Sequence, residues 1–134
     1  MVYLLVKGKK YYFDTSNGIL KTGLIKLDNK WYCFDPAKNG QMAVSRFVKL
    51  NGILRYYDEN GVMVTGKGLK KINDTWYWIV ANGTVSVNKF EVSNGVKRYF
   101  GSDGKMATGV KKVDGVVYYF LSNGAPYKGN GLTK

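Results

Sequence analysis

Histidine is absent from the 134 residues, cysteine occurs once and proline twice. Without histidine, the side chain that most often acts as general base near neutral pH is missing. The lone Cys33 cannot close a disulfide within the chain, so cysteine usage says nothing about compartment. Two prolines leave no rigid Pro-rich linker. No apolar run of 18 residues exists, which excludes a membrane-spanning helix. The apolar start, residues 1–6, is too short for a signal peptide and lacks a cleavage site.

Carboxylates are also few. Eight of the nine, Asp14, Asp28, Asp35, Asp58, Glu59, Asp74, Asp103 and Asp114, fall in or beside turn signals, where Asp shapes the turn. Only Glu91 falls on a strand, opposite no partner carboxylate. Glycoside hydrolysis by its common route needs two carboxylates flanking one bond. No Cys/His spacing for zinc, no phosphate-binding loop and no nucleophile elbow is present. The expectation is a protein without catalytic residues, metal or cofactor.

What the chain does have is aromatic surface, glycine and positive charge. Aromatics make up 15%, with eleven tyrosines, and glycine occurs 17 times. The net charge of +12 favours an anionic partner, such as nucleic acid, an acidic cell-wall polymer or a lipid surface. It could equally keep an aromatic strand array soluble and guard its edges. Charge is locally dense only over residues 67–71 and at Lys97-Arg98.

The glycines are periodic. Hairpin-turn dipeptides fall at Lys7-Gly8, Asp28-Asn29, Asn51-Gly52, Asn73-Asp74, Asn94-Gly95 and Asp114-Gly115, 20 to 23 residues apart. Asn, Asp and Gly accept the positive φ that a tight hairpin turn needs. A second series, Gly18, Gly40, Gly61, Gly83, Gly104 and Gly124, keeps nearly the same period, each after Asn or Asp. Two turn signals per unit predict two strands per unit.

Aligned on the turns, the column Phe13, Phe34, Tyr57, Ile79, Phe100 and Phe120 is apolar throughout and is expected in the core. Cys33 stands in an otherwise aromatic column and reads as a small buried hydrophobe. Two positions before the core column, Tyr11, Tyr32, Arg55, Tyr77, Arg98 and Tyr118 suggest a partly wet margin. One hairpin is marginal alone, but stacked hairpins cover one another. Each buried aromatic contributes roughly 1.5–3 kcal/mol. The expected fold is all-β: a solenoid of about six stacked two-stranded hairpins over residues 2–134, with units near 2–23, 24–46, 47–68, 69–89, 90–109 and 110–132. The fading tail, Gly131-Leu132-Thr133-Lys134, suggests a segment of a longer array.

The stretches Asp-Asn-Lys-Trp-Tyr-Cys-Phe-Asp at 28–35, Asn-Gly-Val-Met-Val-Thr-Gly at 60–66 and Gly-Lys-Met-Ala-Thr-Gly at 104–109 carry a resemblance. The unit resembles the cell-wall-binding, or choline-binding, repeat of Gram-positive surface proteins and phage lysins, with the related glucan-binding and clostridial-toxin repeats. The resemblance implies a secreted or cell-surface, cell-wall location and ligands held in grooves between neighbouring hairpins. In the choline-binding branch the column after Thr-Gly is usually Trp. Here it holds Leu24, Phe47, Leu69, Phe90 and Val110. Leu and Val offer no π-face to a cation, which points away from choline. Thr-Gly stands at 22–23, 65–66 and 108–109, but Ser45-Arg46 and Asn88-Lys89 replace it in alternate units, suggesting two kinds of groove.

Trp31 and Trp76 share a column that elsewhere holds Lys10, Leu54, Lys97 and Val117, so the fold does not demand Trp there. They read either as space-fillers or as platforms for the apolar face of a sugar ring. Tyr77, Trp78 and Phe90 are expected as walls, and Phe47 as a further ligand-binding residue. Lys67, Lys70, Lys71, Lys97 and Arg98 are expected to contact an anionic polymer such as teichoic acid. Basic charge with aromatics also suits single-stranded nucleic acid, but no RNA-binding signature accompanies it, and nucleic acid is not expected as a partner. An exposed end of the stack would allow a dimer. The reading favoured is a non-catalytic cell-wall or carbohydrate-binding module that anchors or targets an attached domain. A choline-binding module on teichoic acid and a structural or receptor-binding spacer of a toxin-like protein are the alternatives.

Overall fold

A computed structural model describes residues 2–6 as backbone and 8–128 in full; Met1, Lys7, the side chains of residues 2–6, that of Tyr3 among them, and residues 129–134, with the tail at 131–134, lie outside the described residues. The tight turns set the architecture. Asp28 and Asn29 have φ of 51° and 64°, Asn73 and Asp74 have 52° and 63°, and Asn51-Gly52, Asn94-Gly95 and Asp114-Gly115 match them. Two successive positive φ values make the turn whose twist suits a two-residue hairpin.

Six antiparallel pairs result: β1 (Val2–Val6) with β2 (Lys9–Phe13), β4 (Gly23–Leu27) with β5 (Lys30–Asp35), β7 (Arg46–Leu50) with β8 (Ile53–Tyr57), β9 (Gly68–Ile72) with β10 (Thr75–Ile79), β11 (Lys89–Ser93) with β12 (Val96–Phe100), and β13 (Gly109–Val113) with β14 (Val116–Phe120). The all-β array of hairpins expected from the turn period is what forms. A third rung was not foreseen. Two-residue strands β3 (Leu20–Lys21) and β6 (Gln41–Met42) extend the first two sheets. Single bridges, such as Tyr57 to Met63 and Phe100 to Met106, do so in later ones. A rung this short leaves no alternation to read in sequence.

The described chain divides into two compact units, Met1–Gly66 with Ala81–Thr84, and Lys67–Val80 with Val85–Lys134. In the first, Cys33, Ala43, Val48, Tyr57 and Met63 form a buried cluster with Leu24 against it. In the second, Trp78 packs against Phe100, with ring centroids 6.5 Å apart. Of the core column, Phe34, Tyr57, Ile79, Phe100 and Phe120 are at most 1% exposed, and Phe13 is half-buried. In the margin column only Tyr77 departs from the half-exposed expectation. It is buried opposite the half-buried Lys70, whose aliphatic stem can cover apolar surface.

At Gly40, Gly61, Gly83 and Gly124 the second glycine series brings the loop down onto residues of the preceding repeat. A Cβ at Gly61 would stand 2.6 Å from Met42 Cε, and one at Gly83 would stand 3.1 Å from Met63 Cε. That contact explains why Ala81–Thr84 belongs to the first unit. The two unit types also differ in their corners. Gly23, Gly66 and Gly109 carry the positive φ in the Thr-Gly corners, whereas Ser45 (52°) and Asn88 (53°) carry it one residue earlier in the others. Arg46 is thereby free to open a strand and meet buried Asp35 at 3.0 Å. Asp35 also accepts the Ala37 N–H at the start of the 3-10 turn Pro36–Lys38.

Candidate functional site

A two-residue turn centred between positions 28 and 29 puts Lys26 directly opposite Trp31. The turn at 73–74 puts Lys71 opposite Trp76. In both pairs the lysine Nζ lies 6.0 Å from the indole centroid. The rings are similarly open, with Trp31 38% and Trp76 39% exposed. Each backbone is pinned from the next hairpin's loop: the Met63 N–H donates to the Trp31 carbonyl at 2.8 Å, and the Met106 N–H to the Trp76 carbonyl at 3.0 Å. An anchored strand thus presents a flat apolar face with a cation beside it. Such a surface can take the C–H face of a sugar ring and pair a nearby phosphate or carboxylate.

The other expected residues divide. Side chains alternate along a strand, so Trp78 shares the face of Trp76, but it is buried on Phe100. Tyr77 points to the opposite face and is buried too, with Lys70 as its cross-strand partner. The Lys70-Lys71 pair is therefore split between two faces, and only Lys71 joins Trp76. Phe47 packs edge-on to Tyr56 at 4.7 Å. Phe90 lies 4.9 Å from Tyr99 and 5.5 Å from Tyr118, with Lys97 Nζ 4.4 Å from its centroid. Arg98 Nε donates to the Asn123 carbonyl at 2.8 Å, so that guanidinium is fixed to a turn. Lys67 is exposed in the corner before β9.

Lys26 escaped the sequence reading, although the turn centre pairs it with Trp31 by counting alone. So did a cleft of about 450 Å³ in the first unit, lined among others by Lys9, Lys10, Gln41, Arg46 and Glu59. Its residues come from three hairpins and carry no common period.

Cys33 is fully buried. Burial, with the nearby Asp35 charge, pushes its thiol up from the ordinary 9.0, and burial likewise raises Tyr57, its hydrogen-bond partner. A buried thiol kept protonated is a poor nucleophile and a poor metal ligand. Among the described residues, no three His, Cys, Asp or Glu side chains gather where they could hold a metal ion. No helix among the described residues is long and apolar enough to cross a membrane.

Aromatic hairpins repeated in tandem, with open indoles on anchored strands, define a repeat-built binding module. Residues 5–47 match the choline-binding repeat family, and residues 67–84 and 111–125 match the cell wall binding repeat family. The chain is an array of choline-binding-type, cell-wall-binding repeats, a module of the cell-wall or carbohydrate-binding kind. Repeats of these families are found in cell-surface and secreted proteins. Among solved structures, CbpJ from Streptococcus pneumoniae is similar at 29% identity, over 93% of this chain and 41% of that one, with a TM-score of 0.74. Choline binding protein F from Streptococcus pneumoniae is also 29% identical, over 93% and 41% of the two chains, with a TM-score of 0.72. An alternansucrase in complex with isomaltononaose is 29% identical over 95% of this chain and 10% of its own, with a TM-score of 0.50. The chain thus spans about two-fifths of the length of the first two proteins. A search of curated protein sequences finds no match.

Proposed function

We propose that this module docks its protein onto an anionic cell-wall glycopolymer, with Trp31 and Trp76 as two equivalent platforms and Lys26 and Lys71 as their charge partners. The observation that carries the reading is duplication. The same lysine–indole pair, with the same 6.0 Å separation and nearly equal exposure, stands once in each unit. Packing alone does not require it, since Leu54 and Val117 occupy the same column. Phosphate on a teichoic-acid-like polymer is the anion that suits the +12 charge, with Lys67 and Lys97 as outlying contacts. Phe47 and Phe90 extend the aromatic surface, while Tyr77 and Trp78 support it from the core. Two weak sites on one chain gain from multivalency when the polymer reaches both. The whole protein would then be held at the cell wall.

Tryptophan fluorescence tests this directly. Titration with purified teichoic acid, with cell-wall sugar polymer and with α-glucan should perturb the emission of Trp31 and Trp76 for at least one of them. A folded sample that responds to none of these, and does not sediment with purified cell walls, overturns the reading.

A further inference from the structure

Seven Asn-Gly dipeptides lie among the described residues, two at hairpin turns and five in the second glycine series. Asparagine is thermolabile, and most so before glycine, which has no Cβ to keep its amide nitrogen away from the asparagine side-chain carbonyl. The fold treats the two sets differently. In the loops, the N–H groups of Gly18, Gly40, Gly61 and Gly124 donate to the carbonyls of Asp14, Asp35, Asp58 and Leu121 at 2.7, 2.8, 2.9 and 2.8 Å. The side-chain oxygens of Asn17, Asn82 and Asn123 accept the N–H two residues on, at 3.0, 3.1 and 2.9 Å. Gly83 makes no such N–H bond, but it is buried, with Met63 Cε and the Val64 carbonyl each 3.1 Å from where a Cβ would stand. At the hairpin tips neither partner is held. Asn51, Gly52, Asn94 and Gly95 are exposed, and among the described residues neither the two asparagine side chains nor the two glycine N–H groups find a hydrogen-bond partner.

We propose that Asn51 and Asn94 are self-modification sites, where the tips of two hairpins, one in each unit, convert spontaneously to aspartate and isoaspartate. The amide nitrogen of Gly52 or Gly95 gives its proton to hydroxide and attacks the asparagine side-chain carbonyl carbon. A C–N bond forms to close a succinimide ring. The bond to the side-chain nitrogen breaks, and that nitrogen leaves as ammonia with a proton taken back from water. A second water then opens the ring at either carbonyl, giving aspartate or isoaspartate. Each event lowers the net charge of +12 by one. Isoaspartate also routes the main chain through the former side chain and lengthens the turn. The native turns hold φ of 52° and 80° at Asn51-Gly52 and of 51° and 77° at Asn94-Gly95. They set the pairing of Leu50 with Ile53 and of Ser93 with Val96, so the longer product weakens that register. Only the tip must relax for the nitrogen to reach the carbonyl, whereas a loop glycine must first break its N–H bond or leave its packing. This inference does not rest on the polymer reading, because Trp31 and Trp76 take no part in the chemistry.

The test incubates the folded chain at mildly alkaline pH, digests it under acidic conditions that stop the reaction, and maps the peptides by mass spectrometry, with isoaspartate resolved by fragmentation. Asn51 and Asn94 should lose their amides about tenfold faster than each of the five loop asparagines. In urea that difference should vanish, because all seven then share the same dipeptide chemistry. Asn73 is an internal control: it has the same turn geometry, with φ of 52°, but Asp74 follows it in place of glycine, and it should keep its amide. Loop asparagines that react as fast as Asn51 and Asn94 in the folded chain overturn the proposal, as does Asn73 keeping pace with them. An order of reactivity unchanged by urea, or Asn51 and Asn94 intact in the folded chain after the urea sample has converted, overturns it equally.

Discussion

The Lys71 ammonium lies 6.0 Å from the ring centroid of Trp76, directly across the β9–β10 pair, on a strand whose backbone is held by the Met106 N–H. Anchoring the backbone and leaving the ring open separates the two roles a tryptophan can play. If the indole is a ligand platform, truncation should cost binding far more than stability. For Trp31→Ala and Trp76→Ala, a stability loss of about 1 kcal/mol each is expected, because only part of each ring is covered. Polymer binding should fall at least tenfold in the double variant. Chemical denaturation beside fluorescence or sedimentation binding checks both halves, and a double variant that binds normally removes these residues from the site.

Charge partners should behave differently from platforms. Lys26→Ala and Lys71→Ala leave exposed indoles in place, so the apolar part of binding should persist while its salt dependence weakens. Raising NaCl from about 50 to 500 mM shortens the screening length severalfold, and should weaken the wild type more than the double lysine variant. Parallel salt curves for the two proteins would show that these lysines make no contact with the ligand.

Much of the fold was legible because a hairpin turn leaves a strong local mark. The Asn, Asp and Gly pairs at the turn centres determine the strand register, and register determines which columns meet. The pairing of Leu24 with Cys33 and of Phe90 with Tyr99 follows by counting outward from the turn. The site was less legible. Trp31 and Trp76 stood out because their column is otherwise variable, and Lys26 could have been found from the same turn centre. The burial of Trp78 and Tyr77 could not, since burial comes from neighbouring hairpins such as the one that brings Phe100. The ion pair of Arg46 with Asp35 was hidden for another reason. It depends on Ser45 taking the positive φ that a glycine holds elsewhere, a local exchange that composition does not reveal.

The two glycine environments predict different costs for one substitution. Alanine at Gly52, with φ of 80° and nothing within 4 Å of a new Cβ, should cost roughly 1–2 kcal/mol from backbone strain alone. Gly61→Ala and Gly124→Ala add a collision. Their Cβ atoms would stand 2.6 Å from Met42 Cε and 2.5 Å from Met106 Sδ. A methionine can yield, so the added cost should be about 1–2 kcal/mol rather than a failure to fold. Urea unfolding of the three variants should rank Gly52→Ala as the mildest. The opposite order would mean that the loops do not press on the preceding hairpin as described.

Asp35 makes two attachments that can be removed separately. Its Oδ1 accepts the Ala37 N–H at 2.9 Å and its Oδ2 meets Arg46 Nη1 at 3.0 Å. Asp35→Asn retains an acceptor for the turn and loses the charge pair, whereas Asp35→Ala loses both. Since Arg46 is 31% exposed and partly screened, the first change should cost about 1 kcal/mol and the second about 2–3 kcal/mol. Equal costs for the two would mean that the turn hydrogen bond contributes nothing.

Alkaline stability isolates the buried Cys33–Tyr57 pair. Burial raises both groups, from ordinary values of 9.0 for the thiol and 10.0 for the phenol. The sign follows from proton uptake. Below pH 9 both states hold both protons, and the contribution of the pair is fully present. As pH rises through 9 and then 10, the unfolded chain releases protons that the folded chain retains, and stability falls. Each such group contributes a slope of up to about 1.4 kcal/mol per pH unit until its folded pKa is reached. Cys33→Ala should remove the earlier part of this loss and leave the later, tyrosine-dependent part. The same burial predicts that a thiol reagent labels Cys33 only at the rate at which the surrounding hairpins open. Labelling of the native protein as fast as of a denatured sample would show that Cys33 is not sealed in the core, and a denaturation series from pH 7 to pH 11 without a downward bend would show that the pair carries no buried protons.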